Sequence, residues 1–182
     1  MDSDTSLQFS LGQPGGECDD PFVIAPPSIS PRPDPVALPA GQTVSDTIFI
    51  SDVGAVVELE LELDLDNGYM GDLWVELLHG EERRTLFIDL GSQECQAPNM
   101  TVKFTQDAVT GIQEVCPGGS TTPIVGDYRP NQSLEAFYGL DVNGIWELRI
   151  TDQYFEDGGT LNGWTLIVNG GIAYAANGFA VK

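Results

Sequence analysis

Residues 56–78 read "VVELELELDLDNGYMGDLWVELL". Glu58, Glu60, Glu62, Asp64 and Asp66 take every second position, and Leu59, Leu61, Leu63 and Leu65 fill the gaps. Successive side chains of a strand point to opposite faces, so the segment is a leucine face backed by a row of carboxylates. Alternate residues on one face stand about 7 Å apart, where like charges in water repel by roughly 0.6 kcal/mol, less in salt. Burying a leucine contributes roughly 1.5–3 kcal/mol. Burial outweighs the repulsion, so the row needs no ligand and reads as the solvated face of a sheet.

Further short strands are expected at 47–51, 73–78, 85–89, 101–104, 145–151 and 164–169, with the quoted one spanning 55–65. "DNGYMGD" at 66–72 and "HGEER" at 79–83 carry turn residues between them, which places His79 in a turn. Trp74, Trp146 and Trp164 fall on strands and read as core residues. No helix-period segment exceeds about two turns. The pattern predicts an all-β protein, a two-sheet jelly-roll-like β-sandwich with an extended N-terminal arm. The expected divisions are a strand and proline-rich arm over 1–43, the sandwich over 44–169 and a tail over 170–182.

The 182 residues hold 28 acidic and 7 basic side chains, a net charge of −21. That balance excludes nucleic acid and an anionic membrane surface as partners, and favours a cation-rich setting. No apolar run approaches the roughly 20 residues of a membrane span. The N-terminus "MDSDTSLQFS" lacks the basic and apolar regions of a signal peptide, although a mature secreted chain would look the same. Leu7, Phe9 and Leu11 alternate with polar residues like a lone strand, and "APPSISPRPDP" follows as an extended arm. An isolated strand is unstable in water and gains by adding to an exposed sheet edge. Head-to-tail self-association through terminal strands, open-ended as in a filament, is therefore expected, the alternative being an arm packed along its own sandwich.

Cys95 and Cys116 bracket a loop-rich stretch, either as a disulfide worth about 3 kcal/mol or as two buried thiols; the loop setting favours the disulfide. Cys18 is left over. Catalysis has little to work with. His79 is the chain's single histidine, and no Gly-x-Ser-x-Gly elbow, zinc-ligand spacing or phosphate loop accompanies it. The acidic loops are more informative, with Asp66 and Asp72 in one, Asp107 in another, and Asp152, Glu156 and Asp157 around a double glycine. Carboxylates crowded in glycine-containing loops suit a hard cation with six to eight oxygen ligands, hence Ca2+ as the expected cofactor. The plainer alternative is aspartate as turn-former. Asn99-Met100-Thr101 and Asn131-Gln132-Ser133 are N-glycan acceptor patterns.

"GDLWVELLHGEERRTLF" (71–87) and "YRPNQSLEAFYGLDVNGIWELRITDQYFEDGGTLNGWTLIV" (128–168) resemble the P domain, or P/Homo B domain, of furin- and kexin-like proprotein convertases and of bacterial secreted proteases. The resemblance rests on Gly71-Asp72-Leu73, Thr85-Leu86, Phe137, Gly139, Gly144, Trp146, Leu148, Ile150, Asp152, Asp157, Gly159, Leu161, Trp164 and Leu166, and spans about 44–169. It implies a jelly-roll sandwich without a catalytic centre, attached to a protease that it stabilises or regulates, and often calcium-bound in bacteria. It places Asp72, Asp107, Asp152 and Asp157 at acidic loop positions. Two departures stand out: the cysteine-bracketed insertion, and an arm over 1–43 where a protease domain would precede. The sequence therefore carries two expectations. The first is a non-catalytic, secreted, calcium-stabilised module for self-assembly; the other is the accessory domain of a secreted subtilisin-like serine protease, with that catalytic domain as partner. A carbohydrate binder is disfavoured because no exposed aromatic platform stands out.

Overall fold

The computed structural model describes residues 34–170, 172–175 and 180–181. Its first sheet holds β1 (Val36–Leu38), β3 (Leu59–Asn67), β6 (Asn99–Phe104), β7 (Ile124–Tyr128), β9 (Gly159–Val168), β10 (Ile172–Ala175) and β11 (Ala180–Val181). They lie in the order β11-β10-β9-β3-β6-β7, and β1 shares the β9 edge. The second sheet holds β2 (Thr43–Ile50), β4 (Leu73–His79), β5 (Glu82–Ile88) and β8 (Gly144–Asp152) in the order β2-β8-β4-β5. The inner leucines of β3 join Val75, Leu77, Trp146, Leu148 and Ile150 in one buried cluster, so the two sheets form a β-sandwich.

Strand-forming residues outside 44–169 also enter the first sheet. Val36–Leu38 pairs with Gly159–Leu161, and Ile172–Ala175 pairs with Thr165–Val168. Pro35 and Pro39 bracket β1 and hide it in the sequence. At an edge of β9 such a short strand tolerates flanking prolines, which cannot donate to a ladder. β7 was likewise not expected: only Ile124 of its residues is buried, and it lies parallel to β6. Leu7, Phe9, Leu11 and Cys18 lie outside the described residues.

The two turn segments connect their strands in different ways. "DNGYMGD" does not close a hairpin; through a 3-10 turn at Met70–Asp72 it carries the chain from the first sheet to the second. The tight hairpin is Gly80-Glu81, with His79 paired to Glu82. His79 is therefore the buried last residue of β4 and not a turn residue, because Gly80 at φ 61° begins the reversal after it. Trp146 and Trp164 are buried, whereas Trp74 is half-buried on an outer face and donates from Nε1 to Thr85 Oγ1.

The acidic row is more enclosed than a solvated face. β3 is flanked on both sides, by β9 and β6, which leaves Glu60, Glu62 and Asp64 half-buried, with Glu58 just before the strand and Asp66 near its end exposed. Lys103 on β6 reaches Glu60 at 3.2 Å. Asn162 on β9 donates to Asp64 Oδ1 at 3.1 Å and Asp66 Oδ2 at 3.0 Å. Burial raises the Glu62 carboxyl above its ordinary range, against the pull of Lys103. Partners from neighbouring strands, not solvent alone, hold the row. Because the inner face carries the stability, Leu63→Ala should lower the unfolding free energy by about 2–5 kcal/mol in urea titration followed by tryptophan fluorescence.

Candidate functional site

The sheet register gathers carboxylates at one end of the sandwich. Leu73, the first residue of β4, pairs with Asp152, the last of β8, so Asp72 and Asp152 arrive side by side. The Gln153 N–H donates to the Asp72 carbonyl at 3.0 Å, and the Asp152 N–H donates to the Gln42 carbonyl at 2.9 Å. The following loop returns Asp157 to Gly68, where an added β-carbon would lie 3.0 Å from Asp157 Oδ1. Asp72 is 9% exposed and Asp152 3%.

A disulfide buttresses this corner. Cys95 and Cys116 are bonded with Cα atoms 5.5 Å apart, as their loop setting favours. The Gly71 N–H donates to the Cys95 carbonyl at 2.9 Å, and a β-carbon at residue 71 would sit 2.8 Å from the Cys95 nitrogen. Glycine is required there by close approach, and the turn presenting Asp72 is pinned to the cross-link.

The electrostatics are unbalanced. Burial pushes the Asp72 carboxyl up to about 6, reinforced by Asp152, Asp157, Glu156 and Asp89. Burial also raises Asp152, with Asp157 adding to it, while backbone N–H donors at Tyr154 and Gly41 pull the other way. Asp152 Oδ1 accepts from the Tyr154 N–H at 3.0 Å, but Asp152 Oδ2 is buried with no hydrogen-bond partner among the described residues. Asn67 Oδ1, at the end of β3 that leads into this turn, is orphaned too. Buried oxygens in that condition carry a desolvation cost. The ion pairs among the described residues lie elsewhere.

Of the five expected ligands, the structure brings Asp72, Asp152 and Asp157 together. Asp66 sits on the outer face of β3 with Asn162. Asp107 follows β6 at the opposite end, because β6 runs from Asn99 opposite Asp66 to Phe104 opposite Leu61. Asp89, which the sequence did not suggest, joins through the end of β5 and accepts from Gln153 Nε2 at 2.8 Å. No trio of acidic, His or Cys side chains among the described residues forms a ready-made metal cage. The orphaned Asp152 oxygen and the repulsion on Asp72 nonetheless fit a hard cation that completes its shell with backbone oxygens. The sequence also gave no sign that Tyr154 and Phe155, 42% and 84% exposed, would project beside this corner. Among the described residues no helix is long and apolar enough to cross a membrane.

Fold and register together define an all-β, two-sheet sandwich with carboxylates gathered at one end. The chain belongs to the proprotein convertase P-domain family, whose model matches residues 56–168. No curated protein matches it. Among solved structures it is similar to the serine protease of Aeromonas sobria in complex with its chaperone, at 18% identity and TM-score 0.44, covering 78% of this chain and 27% of that one. It is also similar to the serine protease of Aeromonas sobria at 21% identity and TM-score 0.40, covering 76% and 28%. The chain spans about a quarter of the length of those chains.

A carboxyl whose folded value is raised stabilises the fold below its unfolded value, and that stability is lost as pH rises through the folded one. In chelator, the protein should therefore melt at a higher temperature at pH 5 than at pH 7.5. Asp72→Asn should raise the pH 7.5 melting temperature by a few degrees, on the order of 1 kcal/mol, and change little at pH 5, measured by scanning calorimetry.

Proposed function

We propose that this chain is the accessory P domain of a larger secreted serine protease, held in shape by a calcium ion at its acidic corner. The observation that carries this is the family match, which spans the sandwich from Val56 to Val168. A protease-associated sandwich needs a rigid body and no chemistry of its own. His79, the residue any serine-type centre would need, has both ring nitrogens against backbone carbonyls. The Cys95–Cys116 disulfide supports an oxidising, extracellular setting. Self-assembly through terminal strands, the other expectation, finds no support in the fold or in the relatives.

Calcium would neutralise Asp72, Asp152 and Asp157 and occupy the position to which Asp152 Oδ2 is free to bond. It binds the folded arrangement alone, so it stabilises by mass action. Millimolar calcium should raise the melting temperature, with the Asp152→Asn/Asp157→Asn double variant losing that increment while keeping its circular dichroism. An unchanged melting curve removes the metal. For the accessory role, the gene is expected to encode a subtilisin-like catalytic region in frame with this domain. Deleting residues 34–181 from that product should shorten the half-life of its secreted protease activity. A reading frame without such a region, or an activity indifferent to the deletion, overturns it.

A further inference from the structure

The far end of β4 holds the chain's single histidine in an arrangement that one protonation state satisfies better than the other. His79 is 8% exposed and lies flat on Trp146, with ring centroids 4.0 Å apart and planes 2° from parallel. Nδ1 is 3.0 Å from the Ile145 carbonyl oxygen and Nε2 is 2.7 Å from that of Asp141. A carbonyl only accepts. A neutral imidazole has one N–H, so it satisfies one of these oxygens and turns a lone pair on the other; an imidazolium donates to both. The face of the Trp146 ring also favours a cation.

The surrounding charges can be named from each element. Asp141, in the loop before β8, is held below the ordinary carboxylate range by the backbone N–H groups of Asn143 and Gly54, with a smaller contribution from His79 itself. Glu82 lies across from His79 on β5, and Glu81, Glu147 and Arg149 line the same groove. Arg84 pairs with Glu82 at 2.8 Å and Arg149 with Glu147 at 2.9 Å, so among the described residues Asp141 and Glu81 are the carboxylates there without an ion pair. The balance around the ring is negative and opposes the cost of burying its charge.

The two carbonyls belong to the segment that closes this end. Residues 139–145 touch the 54–56 strip through Val56 N–H to the Leu140 carbonyl at 2.9 Å and Val142 N–H to the Gly54 carbonyl at 2.8 Å. His79 ties them to β4. The segment displays Leu140 and Ile145, 37% and 60% exposed, and Ile145 pairs with Phe49, itself 65% exposed. We propose that His79 is a proton-operated clasp. Protonated, it fastens the 141–145 backbone onto β4; on losing its proton it releases one carbonyl and loosens the apolar end of the sandwich. Imidazole is the side chain whose ordinary charge change falls between pH 5 and 8, which is the range in which the clasp is to be sought. The inference does not depend on the accessory role or on calcium.

The test is nuclear magnetic resonance on the whole chain at pH 5.5 and pH 7.5, in chelator. Ring 15N shifts report the proton count on His79, and hydrogen-exchange protection factors, corrected for intrinsic rates, report the clasp. Loss of protection should follow loss of the second ring proton, as the 15N shifts report it. Protection of the Val56 and Val142 amides should fall about tenfold or more at pH 7.5, the worth of a lost charge-assisted hydrogen bond. Amides of β3 should fall less. In His79→Gln, the Val56 and Val142 protection should fall between the two pH values by no more than that of the β3 amides, which report the change contributed by the acidic corner. A wild-type ring that titrates with Val56 and Val142 changing no more than β3 overturns the proposal, as does an excess pH dependence at Val56 and Val142 that persists in the variant. If the variant does not fold, the wild-type comparison decides alone.

Discussion

The leucines of β3 press against the inner faces of β4 and β8, and that contact positions every other element. Leu59, Leu61, Leu63 and Leu65 are at most 1% exposed. A strand offers one face only at every second residue, so burying all four fixes the register of β9 on one side and β6 on the other. A slip by one residue would drive Glu60, Glu62 and Asp64 into the core. The carboxylates thus belong to the fold's specification: they mark which face cannot go inward, while Lys103 and Asn162 hold them in place outside.

The acidic corner is a consequence of that register. Once β3 ends at Asn67 the chain must cross to the second sheet, and Gly71 lets it pass close under Cys95. Asp72 then begins β4 beside the end of β8. Long-range pairing thereby concentrates like charge in a place from which water is largely excluded. Carboxylates so placed need protons or a cation, because no lysine or arginine reaches them among the ion pairs of the described residues.

This explains what could be read in advance. The β3 alternation and the Gly144-x-Trp146-x-Leu148-x-Ile150 run were legible because a period of two is local information. Strand β1 was not, because its pairing with Gly159–Leu161 is decided by distant chain and its flanking prolines argue the other way. Asp152 and Asp157 were legible as loop acids. Asp107 shares that local character and lies at the opposite end from Asp72, while Asp89 lacks it and lies close enough to Asp72 to repel it; both placements turn on strand direction, which spacing alone does not give. His79 was misplaced for the smallest of reasons, a two-residue turn that begins one position later than its glycine-rich neighbourhood suggested.

The two ends of β4 therefore solve opposite problems about 23 Å apart. At the Asp72 end, negative charge is already present and too dense, so protons stabilise by removing it. At the His79 end, two carbonyls face a ring that, when neutral, has one N–H to offer. A metal ion separates them. It substitutes for protons among carboxylates, and it has no place at His79, where every facing atom on the ring nitrogens is a single backbone carbonyl already within 3.0 Å. A calcium ion bound at the acidic corner, as proposed, would contract the pH dependence contributed there, because the carboxylates would be neutralised whether or not they are protonated, and it would leave the carbonyls at His79 untouched.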